Sequence, residues 1–144
     1  MGIHIAKQIG RDVDAVNRSR EELFRSFNAA DADGVTAPLA DDVVWMGHLG
    51  PRALVGKEAV RTSYREFFEN GPFVPQLIAS SEEVVVSGDW AFDQGTWRIV
   101  RTYKQEVRQE RLDSCYVMIW RRSPDSAWKL ACFIWNGAPV PAKP

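Results

Sequence analysis

Few residues in this sequence are of the kinds that bind metals or form disulfides. The 144 residues include two cysteines and two histidines, and Cys115 and Cys132 lack the CxxC or Cys/His spacing of a metal or redox site. We therefore expect no metal site and no cofactor. Both cysteines share strand parity with apolar neighbours, so we expect them to be free, buried and packed as small hydrophobic side chains.

The sequence also lacks a strong net charge and a long apolar run. A net charge of −1 gives no overall attraction to nucleic acid or to an anionic membrane, so we expect neither as a partner. No run of about 18 apolar residues is present that could cross a membrane, and residues 1–10 do not resemble a signal peptide. These features predict a cytoplasmic protein.

Aromatic side chains are abundant, and two late segments are apolar on both strand faces. The chain has six tryptophans, and residues 113–120 and 128–135 carry large apolar side chains at both parities. A strand with one solvated face would alternate apolar with polar residues. We therefore expect the chain's own helices to cover one face and a second copy to cover the other, as a homodimer through the outer sheet face. A ligand would bind on the helix-covered side.

Helical patterns are confined to the first half of the chain, and strand patterns dominate the second half. Apolar periodicity predicts a first helix capped by Asp12 or Asp14 and a short second helix over residues 35–40. A strand at residues 43–46 precedes a third helix that Gly56 opens. Four strands then form a meander, at residues 73–86, 90–102, 112–122 and 127–136.

Segregation of helices from a continuous meander is typical of an α+β domain. We predict a curved, mixed or antiparallel sheet that wraps as a cone over three helices and encloses an apolar interior. A single domain accounts for residues 1–144. Residues 137–144 contain three prolines, so we expect them to form a flexible tail that cannot extend a central strand.

Several segments resemble the nuclear transport factor 2-like superfamily. Residues 27–34, 39–45 and 55–60 are similar to its first half, and the turn at 88–91 and the last strand pattern at 128–136 also fit. This superfamily includes ketosteroid isomerases, SnoaL-like polyketide cyclases and limonene-epoxide hydrolases. The resemblance spans about residues 10–137 and implies a cystatin-like α+β roll.

For the ketosteroid isomerases, the resemblance implies a tyrosine on the first helix, a carboxylate base after the first strand and a protonated carboxylate on a late strand. Those positions fall at Leu23, at Gly47 and near Cys115 or Tyr116. Leucine donates no hydrogen bond and glycine has no side chain to take a proton. The steroid isomerase mechanism is therefore not supported.

The hydrolase and cyclase patterns are also incomplete. The hydrolases use an Arg/Asp pair two residues apart, and Arg111 and Asp113 have that spacing but lie one strand too late. Where the cyclases carry a late-strand acid, this chain has Asn136, which can orient a substrate but cannot shuttle protons.

Three residues are candidates for acid/base chemistry. His48 follows the first strand and titrates near neutral pH, so it suits proton transfer, although a solvent-facing loop histidine is the alternative. Tyr116 or Asn136 would donate a hydrogen bond that polarises a ligand carbonyl.

A second group of residues is expected to line a ligand pocket, because aromatic walls with a few polar groups are typical of such sites. The alternative is a filled core with no cavity. The expected ligand-binding residues are Phe27, Trp45, Tyr64, Gln94, Arg98, Trp120, Phe133 and Trp135.

Which face of the predicted strand at residues 90–102 points inward decides part of this set. If the isomerase pattern holds, Gln94, Thr96 and Arg98 face the cavity and Asp93 faces the dimer interface. A single β-bulge would reverse that assignment, because side chains alternate between faces.

Together these features predict a small-molecule pocket protein. It would be a cofactor-independent isomerase, cyclase or hydrolase acting on a small apolar or aromatic substrate. The alternative is a non-catalytic ligand-binding or dimerisation module of the same fold.

Overall fold

A computed structural model of the chain describes residues 2–47 and 52–139. The helices are α1 (Gly2–Asn28), α2 (Ala32–Thr36) and α3 (Lys57–Asn70). The strands are β1 (Leu39–Met46), β2 (Leu54–Val55), β3 (Phe73–Ser87), β4 (Trp90–Tyr103), β5 (Gln109–Arg122) and β6 (Trp128–Pro139). The predicted α+β class is confirmed, and β2 is a short strand that the sequence reading missed.

The described strands form one mixed sheet in the order β2-β1-β6-β5-β4-β3. Strands β1 and β6 pair in parallel, and the other neighbours pair antiparallel. The three helices come from the first half of the chain and pack on one face of this sheet. We call that the inner face and the opposite one the outer face.

Helix α1 begins well before the predicted cap. Asp12 does not cap a helix: its side chain is buried and accepts hydrogen bonds from Arg122. The buried stripe of α1 includes Val16, Leu23 and Phe24, which is the helical spacing expected from the sequence. No helix in the described ranges is long and apolar enough to cross a membrane.

Helix α2 begins and ends earlier than predicted. The Asp31 side chain accepts a hydrogen bond from the Gly34 amide and so caps its first turn, as short polar side chains do. The helix ends at Thr36, because Pro38 supplies no backbone donor to continue it. Residues 39–42, expected partly as helix, belong instead to β1.

Strand β6 reaches Pro139, so its end lies beyond the predicted limit at residue 136. The backbone of Leu112 on β5 pairs with Pro139, and that of Ser114 pairs with Gly137. Strand pairing therefore includes the first three residues of the segment that was predicted as a flexible tail. Residues 140–144 lie outside the described ranges.

A β-bulge in β6 places its aromatic residues together. Trp120 pairs with Leu130 and Ile119 pairs with Cys132, so the register skips Ala131. Strict alternation would put Leu130 and Phe133 on opposite faces, but both are buried on the inner face. The bulge thus keeps large apolar side chains on the inner face on both sides of Ala131.

Candidate functional site

A cavity of about 230 Å³ lies between the helices and the inner face of the sheet. Its volume suits a molecule of about one ring, since pockets for drug-sized ligands are typically larger, roughly 300–1,000 Å³. The lining residues come from α1, α2, α3, β1, β3, β4 and β6: Leu23, Phe24, Phe27, Val35, Trp45, Tyr64, Phe67, Phe73, Pro75, Leu77, Trp97, Ile99, Arg101, Phe133 and Trp135.

Aromatic rings in contact with one another form most of the cavity wall. The ring centroid of Trp45 is 5.7 Å from that of Tyr64 and 4.5 Å from that of Phe133. The Trp97 ring lies 5.3 Å from Phe133 and 5.2 Å from Trp135. The contacts of Trp45 with Tyr64 and of Trp97 with both partners are edge-to-face, the arrangement that the ring quadrupole favours.

Gly47 makes room for one of these rings. A Cβ atom at Gly47 would overlap the Trp135 indole, so any side chain there would displace Trp135. Gly47 is also the position that resembles the base of the isomerases. In this chain, an indole occupies the space into which such a base would extend.

Few polar groups line the cavity, and most are donors. Within the described ranges, the indole nitrogen of Trp97 and the Nε atom of Arg101 are buried without a hydrogen-bond partner, and the Trp45 indole has only the Tyr64 hydroxyl beside it. Burial raises the pKa of the Tyr64 hydroxyl well above its ordinary value, and the nearby Trp45 indole opposes this only partly. Tyr64 therefore remains protonated at neutral pH.

Among the described residues, Arg101 is the cationic group that lines the cavity. Its Nη1 atom donates to Glu110 at 3.4 Å, and its guanidinium lies 4.6 Å from the centre of the Phe73 ring. Glu110 also accepts a hydrogen bond from the Tyr103 hydroxyl at 2.9 Å. The positive charge of Arg101 thus has a local counter-charge.

Five of the eight residues expected to bind a ligand line this cavity, and three do not. The five are Phe27, Trp45, Tyr64, Phe133 and Trp135. Trp120 is fully buried elsewhere in the core, and its indole donates to Asp93 at 3.4 Å. Gln94 donates to Glu83 on the outer face, and Arg98 pairs there with Asp113 at 3.1 Å.

The expected direction of β4 is therefore reversed. Asp93 and Trp97 are buried on the inner face, whereas Gln94 and Arg98 point outward. The physical reason is that Asp93 has a charged partner inside: Arg20 of α1 donates to it at 2.8 Å. A buried carboxylate is tolerated when it is paired in this way.

The two candidate carbonyl-polarising residues lie on opposite faces of the sheet. Tyr116 is 2% exposed on the inner face, where its ring contacts Phe24 and Trp97, and it does not line the cavity. Burial raises its pKa to about 12. Asn136 is exposed on the outer face and accepts a hydrogen bond from the Cys115 amide at 3.2 Å. His48 lies outside the described residues.

The sequence analysis did not predict the buried ionic cluster around Asp93. Besides Arg20, the Asp93 carboxylate accepts from Ser81 at 3.3 Å and from Trp120. Burial raises the pKa of Asp93, and the hydrogen bond from Arg20 opposes that rise. One signal was present in the sequence: Arg20 lies four residues after Val16 and so continues the buried stripe of α1.

A second ionic cluster joins α1 to the end of β5. Arg122 donates to both carboxylate oxygens of Asp12, at 2.9 and 2.7 Å, and the Trp128 indole donates to the same carboxylate at 3.2 Å. These donors hold the pKa of Asp12 below its ordinary value, and the Arg122 hydrogen bonds have the largest effect. Charged bidentate pairs of this kind are among the stronger protein hydrogen bonds.

The cysteines differ from expectation in one respect. Both are free, but Cys115 is exposed on the outer face and Cys132 is only partly buried. Over the residues that the structure describes, no group of three or more His, Cys, Asp or Glu side chains could hold a metal ion.

The model of the SnoaL-like domain family matches residues 21–126. A ketosteroid isomerase-like protein from Erwinia carotovora atroseptica SCRI1043 is 26% identical, with a TM-score of 0.75 over 86% of this chain and 94% of that one. A candidate dehydratase of the NTF2-like family from Streptomyces avermitilis is 22% identical, with a TM-score of 0.75 over 93% and 99% of the two chains. A conserved protein from Planctomyces limnophilus DSM 3776 is 20% identical, with a TM-score of 0.77 over 91% and 99%. No curated protein matches the chain.

Proposed function

The chain belongs to the SnoaL-like domain family, and we propose that it binds a small apolar or aromatic molecule in the cavity on the inner face. The observation that carries this proposal is the aromatic-walled cavity of about 230 Å³. Apolar walls with a few polar groups are the usual composition of small-molecule sites. Aromatic surface of this kind favours flat or cyclic apolar ligands.

Native mass spectrometry of the purified protein tests this proposal, because it detects a small molecule that co-purifies. We expect an adduct that Ile99→Phe removes, since Ile99 lines the cavity and a larger side chain fills it. Ile78→Phe is the matched control, because Ile78 is 68% exposed on the outer face. An adduct retained equally by both variants would place the ligand elsewhere.

An enzymatic role is the second candidate: cofactor-independent isomerisation, cyclisation or hydrolysis with His48 as the acid/base. It is favoured by the place of His48 in the sequence, directly after Gly47, which contacts Trp135 in the cavity wall. The similarity to a candidate dehydratase supports the same class. The carbonyl-polarising roles of Tyr116 and Asn136 stay predictions, and their positions on opposite faces argue against joint action.

Once a bound molecule is identified, His48→Ala separates the two candidates. For an enzyme, we expect this variant to bind the molecule normally but to lose turnover. For a carrier, no turnover is expected with either protein. Unchanged turnover in His48→Ala would remove the acid/base role of His48.

We further propose that the outer face is the homodimer interface and that the protein is cytoplasmic. The outer face exposes large apolar side chains, among them Ile78, Trp90, Phe92 and Ile134, and a patch of this kind is typical of an interaction surface. Two free cysteines are consistent with a reducing compartment. Light scattering should give a dimer mass that Phe92→Glu reduces to that of the monomer; a monomeric parent protein would contradict the dimer.

A further inference from the structure

One row of large apolar side chains crosses three strands of the outer face. Val85 of β3, Phe92 of β4 and Ile119 of β5 are paired side by side in the sheet. Phe92 stands at the middle of this row, and its side chain and that of Val85 are exposed to solvent. A contiguous exposed row of this kind is typical of an interaction surface.

Two opposite charges flank the row at diagonally opposite corners. Strands β3 and β5 run in the same direction, because each is antiparallel to β4. Glu83 lies two residues before Val85 and Arg121 lies two residues after Ile119, so each charge is displaced from the row by about 7 Å, on opposite sides of it. A half-turn about Phe92 therefore exchanges Val85 with Ile119 and Glu83 with Arg121.

Both charges are able to bind a group outside their own chain. Glu83 accepts a hydrogen bond from the neutral Gln94 amide at 3.0 Å, and no ion pair within the described ranges includes it. Arg121 donates to Asp42 through its two Nη atoms. Because a guanidinium has five N–H donors, Arg121 retains donors for a second carboxylate.

We propose that the homodimer is isologous, with its twofold axis at Phe92, so that Val85 packs against the partner's Ile119 and Glu83 pairs with the partner's Arg121. This inference rests on the proposed dimer through the outer face and adds its arrangement. A twofold axis requires a surface that is complementary to itself, and the exchanged charges and apolar residues meet that requirement. An apolar centre with a polar rim is also the usual composition of an interface.

Reversal of each charge tests the arrangement. In Glu83→Arg alone, and in Arg121→Glu alone, like charges face each other at both corners, so we expect the dissociation constant of the dimer to rise about thirtyfold or more. An equimolar mixture of the two variants restores opposite charges at both corners. It should form a heterodimer with a dissociation constant within about fivefold of that of the parent, and native mass spectrometry identifies this species by its mass.

The matched controls are Glu22→Arg and Arg25→Glu, which reverse an exposed ion pair on α1. Each control should dimerise as the parent does, because α1 lies on the inner face. Circular dichroism establishes that each variant is folded.

A distance measurement needs neither charge reversal. Cys115 is exposed on the outer face, and it lies four residues from Ile119 on β5, so the proposed axis separates the two copies of Cys115 by about 30 Å. Spin labels on Cys115 in a Cys132→Ser background report this separation by double electron–electron resonance. A distance outside roughly 22–38 Å would place the axis elsewhere and overturn the arrangement.

The outcomes distinguish this arrangement from the proposed dimer itself. A monomeric parent would contradict both. A dimeric parent whose folded charge variants stay dimeric alone, or form no heterodimer when mixed, would leave the dimer standing and overturn the axis at Phe92. If Arg121→Glu does not fold, the Cys115 distance decides.

Discussion

The interior has an ionic end and an aromatic end, and both are built from α1 and β4. The ionic end comprises Asp12, Arg20, Asp93 and Arg122. The aromatic end comprises the cavity-wall residues Phe24, Phe27, Trp45, Tyr64, Trp97, Phe133 and Trp135. On α1, Asp12 and Arg20 supply the ions and the last two turns supply aromatic side chains. On β4, Asp93 and Trp97 are four residues apart on one face.

The two ends differ in how completely their polar groups are paired. At the ionic end, each carboxylate accepts from an arginine and from an indole. At the aromatic end, the Trp97 indole and the Nε atom of Arg101 have no partner within the described ranges, and unfilled volume remains. The ionic end therefore connects α1 to the sheet, whereas the aromatic end retains the unfilled volume in which we propose that a ligand binds.

The largest expected effect is at the ionic end. Arg20→Leu leaves the fully buried Asp93 carboxylate without its charged partner, so we expect a loss of about 3–5 kcal/mol in the free energy of unfolding. Urea denaturation measures this loss. The control is Arg25→Leu on the same helix, where both partners of the ion pair are exposed and the loss should stay below about 1 kcal/mol. Similar losses in both variants would show that the buried ion pair stabilises the fold no more than the exposed one.

Asp12 should make the ionic end sensitive to acid. Its folded-state pKa lies below the ordinary value of 3.8. The contribution of Asp12 to the free energy of unfolding is therefore complete above pH 3.8 and is lost as the pH falls through the folded-state pKa. Asp12→Asn should lose about 1.5–3 kcal/mol at pH 7 and lose less additional stability than the parent below pH 4. Denaturation curves at several pH values measure both quantities. If the stability of the parent and of Asp12→Asn fell equally with acid, Asp12 would not be the group that makes the ionic end sensitive to pH.

Added volume should distinguish the aromatic end from the filled part of the core. Leu130→Phe enlarges a fully buried side chain that lies outside the cavity lining, and overpacking of this kind costs about 1–3 kcal/mol. Ile99→Phe adds the same number of atoms at the cavity wall, where space is available, so we expect a change within about 1 kcal/mol. Thermal and urea unfolding of the two variants give the comparison. Equal losses would mean that the cavity closes in solution.

The smallest expected effect is at Tyr116, which lies between the two ends. Its buried hydroxyl lies near the Ser81 hydroxyl but makes no hydrogen bond of good geometry in the described part of the chain, so Tyr116→Phe should change the free energy of unfolding by less than about 0.5 kcal/mol. In the ultraviolet titration, the variant should lose one tyrosine ionisation with a pKa of about 12. A loss above about 1.5 kcal/mol would reveal a partner for the hydroxyl.

The sequence predicted most of the aromatic end and little of the ionic end. Phe27, Trp45 and Tyr64 could be recognised because large apolar residues at helix or strand spacing belong to a buried face. Arg20 and Asp93 could not be paired, because they are 73 residues apart and their contact depends on how α1 crosses β4. Gln94 and Arg98 were placed on the wrong face for the same reason.

By itself, the sequence determined the order of the three helices and the five longer strands, the α+β class and the aromatic character of the interior, because these depend on local periodicity and composition. Only the tertiary structure decided which parity of β4 faces inward, where the bulge in β6 falls and how Trp135 occupies the space beside Gly47. Those features depend on strand register and on contacts between distant segments. A shift of one residue reverses every side chain of a strand, and no local pattern in the chain encodes that choice.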